Sequence, residues 1–297
     1  MNCRFIVKTT SLLALGMLTI GAYAGHSWNN FTWAKTSNSF TLMVVDSVSD
    51  NWWTELDETL TKWSASNVLD LQITKTDNSQ SARQICGMVA GQIRVCNYSY
   101  GDTGWLGLAS IGIDNKGHID RGVAMLNDSY SSNWKDQALK NHVMCQEIGH
   151  LFGLGHTSEN GTSQQSCMDY SNDWASQWPN AHDYDFLDVI YSSLENYNSY
   201  NTSLDGATDG GSGGTTDGGT TDGGTDGGTT DGGDKVKGKS GTKGGKGSGK
   251  GGSKKSEPQL RQIPPMGIRI SGNSNEEIWA SSRRDGGLWI HHLRLVP

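Results

Sequence analysis

Apolar positions recur with two different periods along the first two hundred residues, and the period switches several times. Phe40 to Asp46 is a short apolar run rich in strand formers and predicts a first strand. Asp50 is placed to cap a helix over about 51 to 66, in which Trp53, Leu56, Leu60 and Trp63 recur at helical spacing and would face a sheet. Leu69 to Thr76 alternates apolar and polar residues as a half-buried strand does, and Gly91 to Cys96, Trp105 to Ile113 and His118 to Asn127 predict three more strands. From Trp134 to Leu154 the period turns helical again, with Leu139, Val143, Met144, Ile148, Leu151 and Phe152 as the buried stripe and Gly153 and Gly155 as the stop. Asp183 to Leu194 predicts a closing helix through Phe186, Leu187, Ile190 and Tyr191. Strands interleaved with helices indicate an α/β or α+β domain from about Trp28 to Tyr200.

Beyond that domain the pattern disappears and then returns. Five Thr-Asp-Gly-Gly units fall between Thr208 and Gly233, and eight lysines lie between Lys235 and Lys255. Such a stretch cannot bury a core and predicts a flexible polar spacer with an acidic and a basic block, the lysines being a solvated tail. No apolar residue recurs in it, so a calcium-binding β-roll is excluded. From Met266 to Pro297, Gly267 to Ile270, Glu277 to Ala280 and Leu288 to Ile290 predict three short strands. This tail is too small to be stable alone, so it docks on the main domain, assembles with itself or serves as a sorting tag. His291 and His292 would point to opposite faces of a strand and are expected as a surface pair.

The N-terminus changes the compartment. Arg4 and Lys8 precede an apolar run from Leu12 to Ile20 and then Ala22-Tyr23-Ala24, which predicts a signal peptide cleaved before Gly25. The chain therefore divides into a signal peptide at 1–24, a main domain at 25–203, a linker at 204–258 and a β-rich segment at 259–297. Export makes the protein secreted or periplasmic, with no transmembrane segment in the mature chain. Loss of Cys3 with the signal leaves four cysteines, for which three pairings are possible. Cys86 with Cys96, closing a hairpin-like loop, and Cys145 with Cys167 are the favoured pairs. The formal charge of −7 is mild and gives no basis for a nucleic-acid partner.

The candidate chemistry lies at Gln146 to His156, which reads QEIGHLFGLGH. Gln146 and His150 are one helical turn apart on the same face, and Glu147 lies on its rim. Gly153 permits a sharp turn that can bring His156 back beside His150. Two imidazoles and one amide could thus converge, with Glu147 close by. Catalytic zinc usually takes three protein ligands and a water whose proton a nearby carboxylate accepts. His142 lies about 12 Å along the helix from His150 and cannot share its ion. His118 and His182 have no spacing argument.

These residues resemble the HExxHxxGxxH signature of the metzincin zinc endopeptidases, with Glu147, His150, Gly153 and His156 matching and Gln146 in place of the first histidine. Ser166-Cys167-Met168-Asp169-Tyr170 resembles the Met-turn of that clan, Met168 being the methionine beneath the metal and Tyr170 the tyrosine that approaches it in some members. The helix reading VMCQE-x-GH-x-FGL-x-H and the turn reading CMDY are similar to a bacterial group of secreted metzincin-like proteins in which glutamine is the usual residue. That similarity extends from about Phe40 to Tyr191, and the Gly267 to Val296 tail is a candidate further part of it.

The resemblance implies a twisted, mostly parallel sheet packed on an N-terminal helix and an active-site helix. It implies zinc held by His150, His156 and Gln146, more weakly than by three imidazoles or not at all, because an amide oxygen is a poorer partner than imidazole nitrogen. Glu147 would be the general base and Tyr170 would stabilise the oxyanion. The expected function is a monomeric, secreted endopeptidase acting on proteins or peptides. The alternative is a metzincin-like module that binds proteins or glycans without cleaving them.

Overall fold

The computed structural model describes residues 26–202 and 264–296. The expected signal peptide and the whole of the expected spacer lie outside these residues. Eight strands form a single sheet: β1 (Phe40–Ser47), β2 (Leu69–Thr76), β3 (Ile93–Tyr98), β4 (Trp105–Ile113), β5 (Ile119–Asn127), β6 (Ile268–Gly272), β7 (Glu276–Ser282) and β8 (Leu288–Leu295), in the order β2-β1-β3-β5-β4-β8-β7-β6. Among the described residues four α-helices accompany them: α1 (Trp53–Trp63), α2 (Gln80–Ile85), α3 (Gln137–His150) and α4 (Ala181–Ile190).

The mixed α/β character is as expected, but the sheet is not mostly parallel. Parallel pairing is confined to β1 with β2, β1 with β3, and β3 with β5. The pairs β4 with β5, β4 with β8, β6 with β7, and β7 with β8 are antiparallel. The reason is local. The link from β4 to β5 is a tight turn in which the Asp114 carboxylate accepts from the backbone N–H groups of Lys116 and His118, too short for the crossover that a parallel pair needs. The remaining three antiparallel pairs are made by the C-terminal segment, whose β8 lies against β4 over the whole length of that strand.

One face of the sheet carries the main core. Leu42, Val44, Ile93, Val95, Ala109, Ile111, Ala124 and Leu126 pack there against Leu56, Leu60 and Trp63 of α1 and Val143, Met144 and Ile148 of α3. Trp63 also donates its indole N–H to the Cys145 carbonyl at 3.1 Å, which fixes α1 on α3. Trp53 does not join this core and is 45 % exposed. Its expected place is taken by Trp52, because Asp50 opens a short 3-10 turn with no side-chain cap and α1 starts three residues later. The other face holds a smaller cluster of Tyr100, Trp105, Leu108, Val123, Met125 and Leu293 around the Cys86–Cys96 disulfide. That disulfide joins the end of α2, a helix the pattern did not predict, to β3 rather than closing a hairpin. The second disulfide, Cys145–Cys167, ties α3 to the segment around Met168.

From Asn141 to His150 every residue of α3 is buried, so this helix is an interior element and not an amphipathic surface helix. Asp136 starts it by accepting from the backbone N–H groups of Ala138 and Leu139. Its exit depends on Gly153, which has φ of +87°, and a Cβ there would sit 1.8 Å from the Phe31 carbonyl oxygen. The segment from His26 to Trp33 runs over this turn, where Trp28 N–H donates to the Gly153 carbonyl at 2.6 Å and the Trp33 indole donates to the Leu151 carbonyl at 2.9 Å.

Replacing Gly153 with Ala therefore combines left-handed strain with a backbone clash and should cost about 2–4 kcal/mol. Gly101→Ala, also at positive φ but with nothing within 4 Å of the added methyl, should cost only about 1–2 kcal/mol. Urea denaturation of the two variants side by side checks the difference.

Candidate metal centre

The turn at Gly153 brings His156 back to His150 at the end of α3. Their Nε2 atoms are 3.0 Å apart, and the rings meet edge to face. The other nitrogen of each ring identifies the tautomer. Nδ1 of His150 faces the Leu154 carbonyl at 2.8 Å, which can only accept. Nδ1 of His156 faces Oε2 of Glu276 at 3.1 Å. Both Nδ1 atoms therefore carry the proton, and two lone pairs point at each other across 3.0 Å. Burial pushes the His150 imidazole well below its ordinary pKa, helped by the charge of His292. Burial likewise lowers His156 to about 4 against the opposing pull of Glu276, so neither ring relieves the conflict by taking a second proton at neutral pH.

A cation between the rings removes that conflict. Two nitrogens about 2.0–2.1 Å from a tetrahedral zinc lie roughly 3.3 Å apart, close to the separation seen here. Three imidazoles, those of His150, His156 and His292, have ligand atoms within 4.8 Å of one another. The donor set and the opposed lone pairs thus fit a metal such as zinc.

His292 corrects the expected surface pair. On β8 it stands opposite Ala109 of β4 and Ile278 of β7, and both it and His291 are fully buried because β8 is an interior strand with neighbours on both edges. The two rings do point to opposite faces. Nδ1 of His291 meets the Ser110 hydroxyl at 2.7 Å, whereas His292 enters the face that holds α3. There its Nδ1 lies 3.2 Å from Oε2 of Glu147, and its Nε2 lies 3.2 Å from Oε2 of Glu276 and 2.9 Å from the Tyr170 hydroxyl. Burial disfavours a charged imidazole here, but Glu147 and then Glu276 outweigh it and raise His292 to about 9.

Glu147 is wholly buried, and burial raises its pKa against the attraction of His292. Its Oε1 has no hydrogen-bond partner and presses on β4 at Gly107, where a Cβ would come within 2.6 Å of it. Any larger residue at 107 would displace this carboxylate. Tyr170 donates its hydroxyl proton to Glu276 at 2.6 Å. Burial and the neighbouring Glu276 raise the tyrosine far above its usual range. Arg294, also on β8, stacks its guanidinium 4.2 Å over the Tyr170 ring.

Gln146 is spent differently. Its amide nitrogen donates to the carbonyls of Cys167 at 3.1 Å and Asp169 at 3.0 Å, while its oxygen is buried without a partner. The amide thus pins the turn around Met168 to α3. Met168 lies against α3 at Gly149, whose added Cβ would be 2.5 Å from the methionine sulfur. The turn itself is organised by Asp169, which accepts from Gln164 and Ser171 backbone N–H groups and the Ser176 hydroxyl. His142 donates to the Ser176 carbonyl and remains outside the imidazole cluster, as its helical position requires. His182 stacks with His26 in a separate group with Asp183, and His118 contacts the Thr32 carbonyl.

Sequence reasoning missed Glu276, His292 and Arg294. A signal was present: β8 reads LWIHHLRL, with apolar residues at both parities, the mark of a strand covered on both faces. A cleft of about 230 Å³, bordered by Trp28, Glu159 and Ile278, reaches His150, His156 and His292 together. A larger groove of about 490 Å³ lies along the β1 and β2 edge, and its lining is mostly uncharged, with Asp70 as the carboxylate. Comparison with protein-family models and with curated proteins finds no match.

Gln146→Leu should leave the Cys167 and Asp169 carbonyls without their buried donor and cost about 1–3 kcal/mol. Equilibrium urea denaturation, with helix content followed by circular dichroism, measures the loss.

Proposed function

We propose that this protein is an exported, zinc-dependent endopeptidase of metzincin type, acting as a monomer on protein or peptide substrates. The observation that carries this reading is the pair of imidazoles with opposed lone pairs beside the buried carboxylate of Glu147. His150 and His156 would hold the ion. When bound, zinc would supply a Lewis acid and bring its water toward ionisation near neutral pH.

The residues of the chain then have separate tasks. Glu147 accepts a proton through Oε1, the oxygen that no neighbour uses, and its raised pKa suits a base that must later return that proton. Glu276 holds Nδ1 of His156 and keeps its Nε2 free, as carboxylates beside metal-binding histidines commonly do. Tyr170 is the donor available for a developing oxyanion once its hydroxyl leaves Glu276. The two disulfides agree with an oxidising compartment. Among the described residues no helix is long and apolar enough to cross a membrane.

A second reading has its own support. Oε2 of Glu147 is held by His292, and both edges of β4 are paired, so no substrate strand can add to β4 while β8 is in place. A metal-holding module that binds proteins or glycans without hydrolysis would tolerate both features.

Elemental analysis of the purified mature chain, with a casein assay in the presence and absence of chelator, separates the two. The peptidase should carry about one zinc and lose hydrolysis with chelator, and Glu147→Gln should keep the metal while losing about 10²- to 10⁴-fold in rate. A zinc-loaded chain that leaves casein intact would favour the binding module, and a chain without metal or hydrolysis would overturn the enzyme reading.

A further inference from the structure

We propose that His292, delivered by the C-terminal strand β8, is the third nitrogen ligand of the metal centre and supplies the donor that Gln146 does not. The proposal rests on the metal-binding part of the reading above and is independent of hydrolysis.

The three imidazoles share one construction. Each places Nδ1 against a fixed acceptor: His150 against the Leu154 carbonyl at 2.8 Å, His156 against Glu276 at 3.1 Å, and His292 against Glu147 at 3.2 Å. An acceptor on Nδ1 sets the ring orientation and assigns Nε2 to the metal, which is how protein sites prepare histidine ligands. The rings surround a common point, with centroids separated by 4.7 Å for His150 and His156, 4.1 Å for His150 and His292, and 4.9 Å for His156 and His292. Metal would take the place of the proton that Nε2 of His292 gives to the Tyr170 hydroxyl, since a ligating imidazole must be free of it.

Gln146 is the weaker contender. Its amide nitrogen is committed to two carbonyls of the Met-turn, and what remains is a neutral oxygen, a poorer donor to zinc than imidazole. His292 is also rigidly placed. β8 is paired along both edges, and Arg283, which follows β7, holds the start of β5 through two contacts to Asp120 at 2.7 and 3.0 Å while stacking on Trp289 of β8. The cleft at Trp28, Glu159 and Ile278 gives an ion access to all three rings with the hairpin in place. The centre is therefore assembled from two parts of the chain, Glu147 and its partner His292 being 145 residues apart.

The test uses the full mature chain and two readouts other than activity. In protein carrying 15N-labelled histidine, added zinc should shift three imidazole Nε2 resonances together. Cobalt(II) should give the absorption of a four-coordinate site in the wild type. A carboxylate that only orients a ligand is worth about 10- to 100-fold in metal affinity, so loss of the ligand itself in His292→Ala should weaken cobalt binding about 100-fold or more. His292→Asn, closer in size and polarity, should do the same, and Gln146→Ala should stay within about tenfold of wild type because it removes only a weak donor. Cobalt affinity unchanged in both His292 variants would overturn the proposal. So would a loss in Gln146→Ala as large as in His292→Ala, a zinc titration that moves only two imidazoles, or a wild-type chain that takes up no cobalt. If the expected metal pattern holds while casein stays uncut, the peptidase reading falls and the ligand assignment stands.

Discussion

The pairing of β8 with β4 is the contact on which the buried centre depends. Without it, Glu147 would lack its imidazole partner, His156 would lack the carboxylate that sets its tautomer, and Tyr170 would lose both its acceptor and the cation over its ring. Backbone hydrogen bonding along a strand has no chemical preference of its own. Here it sets register, and register decides which side chains are aimed at α3. A slip of one residue would turn His291 toward Glu147 and send His292 to the opposite face, where Ser110 now receives its neighbour.

Charge balance gives the same conclusion from another direction. Glu147 and Glu276 are buried together near His292 and Arg294, so two carboxylates face two basic groups inside the protein. Burial raises Glu147, whereas His156 and His292 hold Glu276 below the usual carboxylate range in spite of its burial. Removing any one member would leave an uncompensated charge, which is far more costly than losing an exposed ion pair. The four groups are therefore mutually dependent, although α3 and the hairpin that supply them lie on opposite sides of a long linker.

Much of the main domain was legible in the sequence. β1, β2, β4 and β5 fall where apolar runs and alternation placed them, and the predicted stripe from Val143 to Phe152 is buried. Both favoured disulfides are present. Strand direction was not legible, because a pattern of buried positions is the same whichever way a strand runs; the tight turn at Asp114 carried that information and the apolar pattern did not. Trp53 illustrates a one-residue error of phase, with Trp52 buried in its place. At the site, the helix and its glycine turn could be read from spacing alone. His292 was harder to read, because an adjacent histidine pair on an isolated strand is expected at the surface; the apolar residues at both parities of β8 were the sign that the strand is covered on both faces.

The position of β8 also orders the assembly of the protein in time. Its partner strand β4 emerges about 180 residues earlier, Ser110 of β4 and His291 of β8 being 181 residues apart. At 5–20 residues per second, the outer edge of β4 waits roughly 10 to 35 seconds for its neighbour. During that interval it is a long strand edge with unsatisfied backbone groups, open to any extended segment that meets it. The intervening Gly-rich, charged sequence has no aromatic residue that would compete for that edge, and its β-branched residues are polar threonines with a single valine. With no aromatic and hardly any aliphatic side chain between 204 and 258, that stretch has little that packs as a strand, and the next segment of the chain with a strand pattern is the one that completes the sheet.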